Sequence, residues 1–428
     1  MMLSAGGQKR ETVAYRPVGR ESGDGIAEPL VPPDHREPPR RRLTSEMDEQ
    51  RPDGPSPSPS RSNKRVAGTR RSFLRWTGVA AAGAAVAVVG AKALTSGGAK
   101  GTTGLGAGPG ATLPSPASTL PAQTRSLSSV TDLEINGLTP LITPNAEFFR
   151  IDTALSVPNV DLTAWRLKIK GKVGTPLSIS YEELLAMEQV EAPVTLACVS
   201  NRVGDDLIGT AVWQGVELRT LLDLAGVDPA GEQVLGISVD GFTAGFPTAA
   251  AYDGRSALVA IGMNGVPLPR ENGFPARLIV EGLYGYVSST KWLDSIQLTG
   301  WSEVNGYWID QGWAKNGPIK LSSRIDVPQE ETKPAEGIVT IAGVAWAPNS
   351  GVSQVDVQIN GEWNKAELGD SISGGMWRQW FYDWDAPKGS HEIAVRCHSA
   401  DGQVQTGEPT PRPIDGYTGW HKRTVTVV

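Results

Sequence analysis

Cys198 stands at the end of the apolar run Val194-Thr-Leu-Ala-Cys198 and is followed at once by Val199, Ser200, Asn201 and Arg202. Val194, Leu196 and Ala197 have the make-up of a buried strand, and Ser200 with Asn201 supplies the turn that stops it. A sulfur at the mouth of a strand with an arginine beside it is in a setting that favours thiolate over thiol. Such a sulfur can be a nucleophile, half of a disulfide, a soft metal ligand or inert packing, and the local residues leave all four open. The second cysteine, Cys397, lies in a region of different character, which speaks against a disulfide framework. The histidines, His35, His391, His398 and His421, leave the stretch from Ala111 to Ser390 without one. That excludes a Ser-His-Asp triad, a histidine zinc site and a histidine-ligated haem from the central region.

Three turn-rich loops follow the cysteine. The first runs from Asp240 to Pro247, the second from Gly262 to Arg277 with Asn272 inside it, and the third from Glu281 to Trp292. Gly and Pro at this density hold backbone in specific turns. In the third loop the glycines let backbone amides approach an anion, while Ser289, Thr290 and Lys291 add donors and a charge, which suits a phosphate. Any one loop alone would read as a solvated hairpin turn. Three of them behind one reactive-looking cysteine point to a ligand site.

Those residues need a scaffold, and a chain of 428 residues predicts two folded domains with tails. The net charge of -6 argues against a general nucleic-acid binder and favours a small-molecule or protein partner. Residues 1–68, rich in Pro, Arg and Ser and ending in Pro55-Ser-Pro-Ser-Pro-Ser60, predict a disordered polar leader. Next comes Thr69-Arg70-Arg71-Ser72-Phe73-Leu74-Arg75, followed by small and apolar residues from Trp76. Residues 69–94 therefore read as a twin-arginine export signal, or as a membrane anchor through residues 76–94 if the signal stays uncleaved. The apolar run is shorter than the ~20 residues that a membrane span needs. Residues 95–130 read as a flexible Gly/Thr/Ser/Pro linker.

The fold class expected is α+β. Over 131–316 a strand reads across Asp161–Lys170 and a Ser180-capped helix follows it. A second helix spans Gly215–Ala225, and strands lie near Val234–Val239, Ala257–Ile261, Ala276–Val280 and Lys291–Leu298. These make a mixed domain of short helices around twisted sheets. Over 317–428 about seven alternating segments, with turns such as Asn360-Gly361 and Lys388-Gly389, predict an immunoglobulin-like sandwich with Cys397 in its core.

With these residues in hand, the chain from Leu138 onward resembles the sulfite oxidase family of molybdopterin enzymes. The matching stretches are Thr143-Pro-Asn145-Ala-Glu-Phe148-Phe149-Arg150, Cys198-Val-Ser-Asn-Arg202, Trp213-Gln-Gly-Val216, Met263-Asn-Gly-Val-Pro-Leu-Pro269, Asn272-Gly-Phe-Pro-Ala-Arg277 and Lys291-Trp292. The second domain adds Pro318-Ile-Lys320, Ser323-Arg324-Ile325, Gly343-Val-Ala-Trp346 and Trp377-Arg-Gln-Trp380.

The resemblance implies a Mo-molybdopterin cofactor, one per chain, and no haem. Cys198 would be the thiolate bound to molybdenum, a soft ligand suited to a metal that cycles through two electrons. Asn145, Phe148 and Phe149 would line the pterin, joined by Asp240, Asn272 and Arg277, and Ser289, Thr290 and Lys291 would hold its phosphate end. Arg150 and Arg202 would make the mouth electropositive and draw in a small oxo-anion or sulfur-containing substrate for two-electron oxygen-atom transfer. Electrons would pass to a separate protein, such as a membrane haem subunit, and the second domain would form a homodimer.

Where sulfite-oxidising members have His, this chain has Asn272, as the bacterial methionine sulfoxide reductase subunit does. A further arginine is matched by Val203 and a catalytic-site tyrosine by Phe242. A reductase of methionine sulfoxide or of other S- or N-oxides is thus the alternative enzyme. A non-catalytic extracellular binding module is the alternative outside enzymes.

Overall fold

The structure, a computed structural model, describes residues 131–371, 373–410 and 413–428. The leader over 1–68, the export signal or anchor over 69–94 and the linker over 95–130 lie outside the described residues. Among the described residues no helix is long and apolar enough to cross a membrane.

Alternation buries Leu167 and Ile169 while exposing Lys168 and Lys170 in β1 (Leu167–Gly171). The strand does not begin at Asp161. The Asp161 carboxylate accepts from the Thr163 amide and hydroxyl, and the Trp165 amide donates to the Asp161 carbonyl at 2.9 Å, so turn chemistry overrides the alternation there. β1 pairs antiparallel with β2 (Leu177–Ile179) and parallel with β10 (Leu293–Thr299). The sheet continues through β5 (Gln233–Ser238) to β6 (Thr243–Pro247). Helix α1 (Tyr181–Ala186) opens with the expected capping box, Ser180 and Glu183 each satisfying the other's backbone amide.

The second sheet runs β3 (Val190–Ala197), β4 (Ile208–Glu217), β7 (Ala257–Met263) and β8 (Val266–Pro267), with β9 (Arg277–Val280) on β7. Every residue of β7 and β9 is buried, as continuous apolar runs require. Helix α2 (Leu218–Ala225) buries Leu218, Leu221, Leu222 and Ala225, one face at helical spacing. The expected helix over Gly215–Ala225 loses its first turn to β4. A Cβ at Gly215 would lie 2.1 Å from the Val259 carbonyl oxygen, so this glycine lets β4 and β7 close up.

Over 317–428 one antiparallel sheet is ordered β11 (Ser322–Val327), β12 (Gly337–Trp346), β16 (Arg378–Ala386), β15 (Glu367–Leu368). The other is ordered β14 (Glu362–Lys365), β13 (Val352–Ile359), β17 (Gly389–Ser399), β18 (His421–Val427). One apolar cluster, including Ile341, Val355, Trp380, Ile393 and Cys397, draws on both sheets. Cys397 is core as expected, and burial pushes its thiol up to about 12. Asn360 and Gly361 both have positive φ, 49° and 98°, and join β13 to β14 in a two-residue hairpin. The strands number eight against about seven expected, because β14 and β15 are short edge strands without a clear alternation.

Trp377 ties residues 131–316 to residues 317–428. Its indole N–H donates to the Leu141 carbonyl at 2.8 Å, its amide donates to the Thr195 hydroxyl at 2.8 Å, and the Thr195 amide donates to the Gly375 carbonyl at 2.9 Å. β3, the strand that leads into Cys198, is thereby clamped by residues 375–377.

Candidate active site

β3 ends at Ala197 and presents Cys198 on a loop returning to β4. The Cys198 amide donates to the Leu207 carbonyl, and the Asn201 amide donates to the Cys198 carbonyl, each at 2.9 Å. The side chain is half-buried. Its thiol pKa is raised by burial, against weaker opposing hydrogen bonds from the Ser200 backbone and hydroxyl. The expectation that Arg202 favours a thiolate is corrected: Arg202 is exposed and is not among the groups acting on the sulfur. Burial therefore favours the protonated sulfur where no metal is bound.

Asn201 and Arg202 line an open cleft with Tyr284, Lys320 and Tyr417, whose open space including its mouth is about 610 Å³. Lys320 is paired with Asp415 at 2.7 Å. Among the described residues nothing pairs the Arg202 guanidinium, so Arg202 is the free positive charge of this lining. Tyr284 is buried, and its phenol is raised by burial first, then by the charges of Asp415 and Cys198. Phe242, where the resemblance places a tyrosine, stands on the Asp240 turn against Tyr307 at 6.2 Å. The phenol beside the cysteine is Tyr284.

A second group gathers around Asp152. Its carboxylate pairs with Arg150 at 2.9 Å and with Lys291 through the other oxygen. Arg277, buried on β9, acts on both Asp152 and Lys291 through its charge. Three cations therefore surround one carboxylate, a surplus of positive charge that suits a phosphate. Burial lowers Lys291 to about 8 and Arg277 to about 9, with Asp152 opposing both. Arg277 is held by donating to the Asn272 carbonyl at 2.9 Å and by lying over the Trp213 ring at 4.9 Å. Arg150 belongs to this group and is not part of the cleft lining.

The remaining expected residues fall around the same group. The Asp240 carboxylate accepts from the Thr153 hydroxyl at 2.8 Å, and the neighbouring Val239 amide donates to the Trp292 carbonyl. Phe149 stacks on Phe148 at 5.1 Å, and Phe148 meets the edge of Trp213 at 5.7 Å. Phe148 is buried and serves as packing. Asn145 spends both side-chain groups inside the protein, donating to the Met263 carbonyl and accepting from Asn264. It anchors the segment that carries the two phenylalanines.

Among the buried polar atoms without a hydrogen-bond partner, which occur elsewhere in the described residues too, are Asn201 Oδ1, Asn272 Oδ1, Arg277 Nε, Ser289 Oγ and Thr290 Oγ1. Folded proteins leave few such atoms, and burying one without a partner costs about 1–3 kcal/mol. A Cβ at Gly285 would lie 3.7 Å from Ser289 Cβ and 3.8 Å from the Ala197 carbonyl, which puts the third loop against the end of β3. A Cβ at Gly273 would lie 3.2 Å from Lys291 Cα, so the second and third loops touch as well. Unsatisfied polar atoms on the second and third loops thus lie near the cationic group, which suits a polar ligand with an anionic end. Among the described residues no group of three or more His, Cys, Asp or Glu converges on a metal position.

Comparison with known proteins gives the family. The oxidoreductase molybdopterin binding domain matches residues 154–308, the region that contains Cys198 and all three loops. The oxidoreductase YuiH of Bacillus subtilis is 34% identical over 152 residues, which cover 34% of this chain and 74% of that protein. The mitochondrial sulfite oxidase of Rattus norvegicus is 30% identical over 348 residues, covering 67% of this chain and 62% of that enzyme.

The chain belongs to the sulfite oxidase family of molybdopterin oxidoreductases.

The chain spans 62% of the length of the mammalian sulfite oxidases, from mouse as from rat. Sulfane dehydrogenase SoxCD from Paracoccus pantotrophus shares the fold, with a TM-score of 0.60 and 21% identity over 68% of this chain and 84% of that one. The cofactor of a molybdopterin-binding domain is Mo-molybdopterin, and the thiol, the cations and the unsatisfied polar atoms fit that group. Asp152, Tyr284 and Ser200 were not legible as site residues. Asp152 lies only two residues beyond Arg150, but nothing local shows that its second oxygen reaches Lys291.

Proposed function

We propose that this member of the sulfite oxidase family catalyses two-electron oxygen-atom transfer on a small, sulfur-containing substrate, with Cys198 as the protein's ligand to molybdenum. The observation that carries the reading is the cluster of Arg150, Lys291 and Arg277 around Asp152, with unsatisfied polar atoms on Asn272, Arg277, Ser289 and Thr290. When bound, the molybdenum–pterin group supplies the two-electron redox chemistry and accepts or donates the oxygen atom.

Lys291, Arg277 and Arg150 would hold the phosphate end, with Ser289 and Thr290 donating hydroxyls to it. Asn272 and Asp240 would meet the pterin, and Phe149 would cover it. Arg202, unpaired in the cleft, would draw in and orient an anionic or oxo-bearing substrate. Tyr284, its phenol kept protonated, would donate a hydrogen bond to a substrate oxygen. Trp377 fixes the strand that ends at the reacting sulfur.

The two antiparallel sheets of the second domain would be an immunoglobulin-like sandwich through which two copies pair. The export signal over 69–94 would carry the loaded protein out of the cytoplasm, where a separate electron-transfer protein serves it. Sulfite, sulfoxides and N-oxides mixed in turn with purified protein, in both redox directions, test the reading through the absorption of the metal centre. A change with a sulfur compound is expected, and no change with any of them contradicts it.

A further inference from the structure

We propose that residues 150–159 form a strap over the cofactor site, one that lifts to admit and release the cofactor and is latched by Asp152 on Lys291. The inference rests on the reading that the molybdopterin lies among the three loops.

The two ends of this segment are packed and its middle is not. Phe149 and Val160 both pack against the core cluster that contains Val194 and Trp213, whereas Ile151, Leu155 and Val157 take no part in it. No residue from Phe149 to Val160 is fully buried, and Leu155 stands wholly in solvent. Among the described residues no backbone N–H or C=O from Phe149 to Val160 pairs with another backbone group. A stretch with so few buried contacts and no backbone ladder gives up little on lifting, so it opens far more readily than the strands beneath it.

Side chains fasten the segment instead, one to each loop. The Thr153 hydroxyl donates to the Asp240 carboxylate of the first loop at 2.8 Å, and Arg270 of the second loop donates to the Pro158 carbonyl at 3.3 Å. Asp152 pairs with Lys291 of the third loop. The segment therefore crosses all three loops. A cofactor met by Asp240, held by Lys291 and covered by Phe149 lies beneath it, and lifting the segment uncovers that cofactor.

Of the three fastenings the Asp152 pair is the strongest. It joins two ionised groups, and the Lys291 side chain is only 12% exposed, whereas Thr153 is an exposed hydroxyl. The latch is also compatible with a bound phosphate. Arg150, Arg277 and Lys291 outnumber the single carboxylate of Asp152, so a phosphate beside it leaves the pair in place.

The test uses Asp152→Asn, which removes the charge of the latch, and Thr153→Val, which removes the tie to Asp240 from an exposed position. Both changes lie outside the core, so the fold stays intact. Full-length protein freed of cofactor is digested briefly with thermolysin, which cuts before large apolar residues and needs an opened stretch of chain, and the fragments are read by mass. Cleavage beside Leu155 or Val157 should be severalfold faster in both variants than in wild type, with cuts elsewhere over 161–428 unchanged. In loaded protein, pterin release followed by fluorescence should be severalfold faster in Thr153→Val, with the absorption of the bound centre unchanged. Cleavage at the segment that neither variant alters, or a release rate equal to that of wild type, overturns the strap. A chain that holds no molybdopterin and yet is cut faster in both variants overturns the reading of the site and leaves the strap standing.

Discussion

The guanidinium of Arg277 lies over the indole of Trp213 at 4.9 Å, buried, with its Nε unsatisfied. A cation so placed costs desolvation energy that the ring, the carbonyl and the charge of Asp152 do not fully offset, and burial lowers its pKa to about 9. Arg277→Met should therefore raise the unfolding midpoint of the metal-free chain, by about 1 kcal/mol or more. The same change should lower the pterin retained on purification. Urea titration and pterin fluorescence measure the two, and a loss of stability in the metal-free variant would show that the arginine is structural.

Lys291 supplies a pH dependence. The unfolded chain keeps that proton to about 10.5 and the folded chain only to about 8, so folding is favoured as pH rises between the two. The contribution is complete above about 10.5 and is lost as pH falls through about 8. Lys291→Met should flatten this rise in the metal-free chain, read from urea midpoints across that window. An identical slope in wild type and variant would contradict it.

What the sequence disclosed was local. An apolar run stopped by Ser200 and Asn201 marked the end of β3, Ser180 with Glu183 marked a helix start, and Asn360-Gly361 marked a hairpin. Each depends on residues within a few positions of one another. The thiol state of Cys198 was misjudged because a neighbouring charge is visible in sequence, whereas burial is set by distant segments. Asp152 between Arg150 and Lys291, and Tyr284 beside Cys198, are likewise products of long-range packing. Asp161 shows the converse: its turn was written locally, but alternation masked it.

The clamp between the domains gives a third expectation. Trp377→Phe removes the indole donor to Leu141, leaves a buried carbonyl unpaired and opens space in the interface. It should cost about 2 kcal/mol. Unfolding followed by tryptophan fluorescence measures this, and a change within error would mean that the interface repacks around the smaller ring.

Gly416 bears on the cleft itself. Its φ is +87°, and a Cβ there would lie 2.2 Å from the Tyr284 hydroxyl. Gly416→Ala should cost about 1 kcal/mol for the backbone alone. It should also push the phenol from its place, raising KM for the substrate more than it lowers kcat. Steady-state kinetics with the best substrate of the panel decides, and unchanged KM would remove Tyr284 from the substrate's surroundings.

The central claim is that Cys198 holds the metal. Molybdenum per chain, measured by elemental mass spectrometry on purified wild type and Cys198→Ser, tests it most directly. The account predicts about one molybdenum per chain in wild type and its loss in the variant, in keeping with a soft thiolate ligand that serine cannot replace. Equal molybdenum in both proteins, or an active wild type with none, would contradict it.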